Sequence, residues 1–462
     1  MRIFFIFLVF VFGVLAGCKD LPEKKIDFEV ETFSYQSIAY PETEINIPTA
    51  TRNEFVQNFF SPWESSSQDL IASLDDFPGK DISYLEKYLK DDAWYGENKK
   101  PHKKGQRQQI VSNADAENFP NFQKKGIIIA HTDLRRIPTT RPGFDTYSKA
   151  GEGYPFDYFQ ETALWANTPV FIAHFSKDKQ WSYVVSPYYK GWVSTHDVAV
   201  VDDNFIREWS SKSLCYPLSD DVTLQDTTSL YAVNSKIGMV LPYEDVANSS
   251  DKIQVWYAHS DTYQNATILK SEVNREDFAF KKYPFDKGTL ESLVAQLVGK
   301  PYGWGGMLEN RDCSAMIRDL LGTYGIWLPR DSGDQVDTGN KFEMPESVEE
   351  KVKLIKEKGI PFLTILRKNG HNMLYVGNGP NGEPLILHAI WGLKTSYANN
   401  ELEDLLNTYP IEGIHKEEDG TFKGRYIIGE SVITSVYAGT GNEDIPLSII
   451  EEIYAMTNIL EN

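Results

Sequence analysis

Apolar positions recur at two periods along this chain, and the changes of period divide it. From 41 to 125 the repeat is helical. Ile82, Leu85 and Leu89 fall on one face behind Asp81 as expected N-cap, and Pro62, Pro78 and Gly96 punctuate the region. From 126 to 210 short apolar runs at 127–129, 169–173, 181–185 and 191–193, separated by turn residues, predict the strands of a small barrel. A weaker set at 229–231, 236–242 and 253–257 predicts a second one. The helical period then returns. Leu290, Leu293, Val294 and Leu297 share a face, with Thr289 as expected N-cap and Gly299 just past the end. Met316, Ile317, Leu320, Leu321 and Tyr324 form another face, opened by Asp312 as N-cap. Segments 370–377 and 385–390 predict two strands joined by a turn holding Asn378-Gly379 and Asn381-Gly382.

Length and composition agree with several folded domains: 462 residues, 41% hydrophobic and 13% aromatic. The net charge of −20 argues against a nonspecific grip on nucleic acid, which needs clustered cations to neutralise phosphate. The short run Lys99-Lys100-Pro101-His102-Lys103-Lys104 reads as solvated loop. At the start, Arg2 precedes an apolar run at 3–14, too short for a membrane span but suited to a signal peptide. Leu15-Ala16-Gly17-Cys18 resembles the bacterial lipoprotein cleavage box, which implies a signal peptide over 1–18 and lipidation of Cys18. An ordinary secretory signal is the alternative. Lys19 rather than Asp follows, which by analogy favours the outer membrane, facing the periplasm. The polar residues 19–40 suit a tether. Cys18, Cys215 and Cys313 are the cysteines. With Cys18 lipidated, a disulfide would have to consume Cys313, so no disulfide framework is expected and Cys215 reads as structural.

Candidate chemistry centres on Pro301-Tyr302-Gly303-Trp304-Gly305-Gly306 and Asp312-Cys313-Ser314. Cys313 falls in the first turn of a helix, where the positive end of the helix dipole favours thiolate. A small buried core residue is the competing reading for a lone cysteine. His371 and His388, on two paired strands, can share one side of a sheet, and cysteine, base and orienting group together make an activated nucleophile.

Tyr-x-Trp-Gly-Gly, Asp-Cys-Ser, Gly-His-x-x-Leu-Tyr-x-Gly and a later strand histidine, in this order, resemble the NlpC-type family of papain-like cell-wall cysteine peptidases. The stretch Arg330-Asp331-Ser332-x-x-Gln335 is similar to its YkfC-like branch, which carries bacterial SH3 domains. The resemblance implies a multidomain α+β fold. Its parts would be a helical N-terminal clip domain (41–125), two SH3-like β-barrels (126–210 and 211–277) and a C-terminal papain-like α+β peptidase domain (278–462). It implies cleavage of the γ-D-glutamyl–diamino acid bond of peptidoglycan stem peptides, without metal or cofactor. Cys313 would be nucleophile, His371 base and His388 its orienting partner, with a thiolate–imidazolium pair formed before substrate arrives. Tyr302 would stand beside the sulfur as oxyanion donor and Trp304 as an aromatic wall. Asp312 would cap its helix and contact substrate backbone, with Ser314 beside it. Asp331 and Ser332 would close the subsite for a free N-terminal L-alanine. The loop 141–160 would lend the first barrel's wall to the pocket. Ala315 departs from the family's usual glycine. An N-acetylmuramoyl-L-alanine amidase of the same fold and a non-catalytic wall-binding lipoprotein are the rival readings. The partners expected are muropeptides and, through the lipid, a membrane.

Overall fold

The computed structural model describes residues 29–74, 82–90, 94–147, 149–397 and 414–460. Cys18, the signal region and the expected Asp81 cap lie outside them. The compact unit runs from Glu31 to Asn462.

Helix α1 (Thr49–Glu64) repeats Phe55, Phe59 and Trp63 every fourth residue, so one face is aromatic. That face is buried against Ile127, Ile129, Trp209, Tyr216 and Trp256, and each such ring stabilises the packing by roughly 1.5–3 kcal/mol. The Trp63 indole donates to the Gly126 carbonyl at 2.7 Å. Helices α2 (Ser67–Ala72), α3 (Ile82–Lys90) and α4 (Lys104–Asn113) follow. Leu70, Leu85 and Tyr88 from α2 and α3 cover Phe159, Phe171, Tyr183 and Trp192.

The first sheet takes β1 (Lys124–Ile128), β2 (Thr132–Arg135), β3 (Gln160–Leu164), β4 (Pro169–Phe175), β5 (Trp181–Val185), β6 (Lys190–Ser194) and β7 (Val198–Val200). Their order is β3-β2-β6-β5-β4-β1-β7, all antiparallel. Helix α5 (Asp203–Ser210) leads to β8 (Ser213–Pro217), the small hairpin β9 (Thr223–Gln225) and β10 (Ala232–Asn234), then β11 (Leu241–Asp245), β12 (Lys252–Ser260), β13 (Ala266–Asn274) and β14 (Phe278–Phe280). The second sheet is ordered β13-β12-β11-β8-β14. Two expected strands shift here. Residues 229–231 lie at a turn and the strand starts at Ala232, while 236–240 are irregular and the strand starts at Leu241. Gly238 breaks that run: its φ is +96° and an added Cβ would lie 2.6 Å from Cγ of Asp319. The second barrel also extends past the expected boundary at 277, because β14 pairs with β8.

In the C-terminal domain, α6 (Lys287–Leu297) is capped by Asp286, with Thr289 completing a capping box from the third helical position rather than serving as the cap itself. Then come α7 (Cys313–Gly322), α8 (Ser332–Val336), β15 (Asn340–Glu343), α9 (Val348–Lys358), β16 (Thr364–Lys368), β17 (His371–Asn378), β18 (Pro384–Tyr397), β19 (His415–Lys416), β20 (Phe422–Ser435), α10 (Ile449–Glu452) and β21 (Ala455–Asn458). The sheet order is β15-β21-β16-β17-β18-β20-β19. Helix α7 is buried along its whole length and packs on β17 and β18. The segment expected as a tether is corrected for residues 31–40. Ile38 and Tyr40 enter this domain's core, Tyr40 stacks on Phe362 at 5.4 Å, and the Phe33 amide donates to the Ile433 carbonyl. Apolar side chains with a core to reach do not stay in water.

Candidate active site

Asp312 caps α7, its Oδ1 accepting from the Ala315 amide at 3.0 Å, which sets Cys313 at the helix mouth. Strand β17 begins beside it with His371, and the Asn372 backbone N–H points at the sulfur. His371 Nε2 lies 2.9 Å from His388 Nδ1, and His388 Nε2 lies 3.2 Å from the Thr434 hydroxyl. Cys313 and His371 keep 7% and 8% of their surface exposed, whereas His388 and Thr434 keep none. The first two therefore keep some contact with solvent, and the second two do not.

Burial dominates the electrostatics of the cysteine and the two histidines. Burial, and then the Asp312 carboxylate, push the Cys313 thiol from its ordinary 9.0 up to about 11. Burial, followed by the neighbouring His388 and Lys368, holds His371 well below its usual range. Burial and Lys368 hold His388 down to about 3. Burial thus works against the charged form of all three side chains.

Asp312 and Ser314 are engaged inside the protein. Arg330 reaches Asp312 Oδ2 at 2.5 Å, the Ser314 hydroxyl at 2.8 Å and the Thr162 hydroxyl at 2.7 Å. The Gly305 amide also donates to Asp312 Oδ2. Burial alone would raise the Asp312 carboxyl, but Arg330 and these amides outweigh it and hold it below the usual carboxylate range. Both oxygens of Asp312 thus accept hydrogen bonds inside the protein, and the side chain serves the scaffold of the site. Gln335 extends the scaffold, donating to the Ser314 and Pro329 carbonyls and accepting from the Asn372 side chain at 3.0 Å.

Tyr302 is close enough that burial, Asp312 and Cys313 together raise its phenol, which stays protonated and able to donate. Its ring lies 6.1 Å from Trp391, which meets Tyr154 of the first barrel edge-on at 5.9 Å. Trp304 donates its indole N–H to the Asp157 carbonyl at 3.0 Å and meets Phe156 edge-on. Tyr154, Phe156 and Asp157 thus hold this part of the first barrel against the C-terminal domain, anchored where Arg135 pairs with Asp157 at 2.7 Å. Gly305 and Gly306, at φ +59° and +85°, let the turn lie on β3, where added Cβ atoms would be 2.7 Å from Gln160 and 2.5 Å from Ala163. Asp331 is exposed, and its carboxylate caps α8 through the Gly333 amide; Ser332 follows it, half-buried. Sequence reasoning missed Thr434 and Trp391, and did not assign Arg330, Gln335 or Asn372 a part in the site. Arg330 and Gln335 stood in a motif already noted, but no local pattern marks Thr434.

Three family profiles match in chain order: the NLPC_P60 stabilising domain, N-terminal, at 28–119; an SH3 domain of SH3b1 type at 142–194; and the NlpC/P60 family at 299–401. The C-terminal domain is an NlpC/P60 domain. That family is one of cysteine peptidases, and its matched segment here contains Cys313, His371 and His388. Among solved structures, an NlpC/P60 endopeptidase from Photobacterium damselae subsp. piscicida is similar at 24% identity and TM-score 0.80, over 95% of this chain and 99% of that one. The fold therefore extends over both proteins nearly end to end. An NlpC/P60 family protein from Bacillus cereus matches at 15% identity and TM-score 0.44, over 73% of this chain and 99% of that one. No curated protein matches.

Proposed function

We propose that this protein is a peptidoglycan hydrolase that cuts the γ-D-glutamyl–diamino acid bond of stem peptides carrying a free N-terminal L-alanine. The observation that supports this most is the hydrogen-bonded His371–His388 pair beside Cys313 at the mouth of a buried helix, inside an NlpC/P60 domain. His371 takes the thiol proton as Sγ attacks the γ-carbonyl, and Tyr302 donates to the developing oxyanion. His371 then hands that proton to the leaving amine, and water hydrolyses the thioester. The Asp331 carboxylate and Ser332 receive the substrate's amino terminus. Lipidation of Cys18 would hold the enzyme at the outer membrane, and among the described residues no helix is long and apolar enough to cross a membrane.

The test is mass analysis of products from a tripeptide and from glycan-linked muropeptides. Release of L-Ala-γ-D-Glu by the wild type, lost in Cys313→Ala, is the expected result. Free lactyl-sugar products would identify an amidase instead, and no release at all would leave wall binding. Acetylating the substrate's amino terminus should lower kcat/KM about 10-fold or more, and equal rates would overturn the amine subsite.

A further inference from the structure

We propose that Thr434 is a positioning residue that sets the tautomer of both histidines, and so decides whether His371 presents a base to Cys313. This rests on the Cys–His reading above. Each neutral imidazole carries one N–H, so each of the two contacts in the row His371 Nε2–His388 Nδ1–His388 Nε2–Thr434 Oγ1, at 2.9 and 3.2 Å, needs one donor and one acceptor. Only two arrangements satisfy both. If Thr434 accepts, His388 keeps its proton on Nε2 and offers a lone pair at Nδ1. His371 then donates from Nε2, and its Nδ1 carries the lone pair that a base needs. If Thr434 donates, every proton moves one place along. His371 Nδ1 then carries hydrogen and cannot act as a base.

The inner end of this row is closed to solvent. His388 and Thr434 are fully buried. At this end of β20 the segment at Thr32–Phe33 lies alongside, the Phe33 amide bonding to the Ile433 carbonyl at 2.8 Å. Without the threonine oxygen, a His388 N–H at Nε2 would be buried without a partner. The pair would drift toward the arrangement in which His371 is not a base. Thr434 touches no substrate and acts through His388 alone, as an outer partner does for a metal-bound histidine.

The experiment uses the full-length protein. Thr434→Val should lower kcat about 10- to 100-fold on L-Ala-γ-D-Glu-diamino acid tripeptide with KM little changed, and Thr434→Ser should stay within about 3-fold of wild type. Nitrogen-15 NMR of labelled histidines, assigned with His371→Gln, should show wild-type His371 protonated at Nε2 and bare at Nδ1. In Thr434→Val that pattern should weaken. Wild-type kcat in Thr434→Val, or a wild-type His371 carrying its proton on Nδ1, overturns the proposal. If the valine variant does not fold, the wild-type spectrum decides. If wild type does not turn over the tripeptide, the functional reading fails while the spectrum still reports the tautomer.

Discussion

At the scale of single residues, one carboxylate does most to shape the site. Asp312 caps α7, pins the glycine turn through the Gly305 amide and neutralises Arg330 in a place with almost no water. Asp312→Asn would leave the Arg330 guanidinium buried without its counter-charge, a loss on the order of 3–5 kcal/mol. Chemical denaturation of the variant should show it as a marked loss of stability, and an unchanged midpoint would contradict it. Asp312 also opposes the Cys313 thiolate, after burial, so alkylation of Cys313 by iodoacetamide should quicken steadily as pH rises toward the thiol's value of about 11. A plateau reached near neutrality would mean that the ion pair is preformed after all.

Among the elements, the turn at Trp304–Glu309 matters most, because it joins the peptidase domain to β3 of the first barrel. Gly306 sits at φ +85° with the Ala163 backbone where a side chain would go. Gly306→Ala adds left-handed strain of about 1–2 kcal/mol and a clash costing about 1–3 kcal/mol. The melting temperature should fall, and so should activity, since Tyr302 and Trp304 ride on the same turn. Gly105, whose added Cβ would meet nothing within 4 Å, supplies the control: Gly105→Ala should leave both nearly unchanged. The turn's glycines were visible as a motif in the chain, but the strand they approach was not. Close approach of one backbone to another is a property of the pair.

For the whole molecule, a buried ion cluster binds the second barrel to the peptidase domain. Arg311 holds Asp220 through both of its terminal nitrogens at 2.7 and 2.8 Å and Asp319 at 2.7 Å, and the Trp165 indole donates to the same Asp319 oxygen. Arg311→Met would strand the Asp220 carboxylate, which is largely buried. About 3–5 kcal/mol of interdomain stability should be lost. Limited proteolysis should then cleave between the second barrel and the peptidase domain far faster than in wild type. Equal cleavage rates would show that apolar packing alone holds the domains. The contacts next to Tyr302 depend on the same assembly, since Tyr154, Phe156 and Asp157 come from the first barrel and Trp391 and Trp304 from the last domain.

What the chain by itself determined is local. The spacing of Phe55, Phe59 and Trp63 makes an aromatic helix face, Asp312 opens a helix at Cys313, and the runs at 371–377 and 385–390 are strands that bring two histidines together. Each depends on residues a few positions apart, or on one hairpin, where side-chain periodicity and capping chemistry decide. Tertiary structure alone decided the rest: that Asp312 belongs to Arg330, that burial works against charge at Cys313, that Ile38 and Tyr40 enter the core, and that Thr434 ends the histidine row. Those outcomes turn on which distant groups exclude water and which donor meets which acceptor. No local pattern carries that, because desolvation and partner choice exist only once the chain is packed.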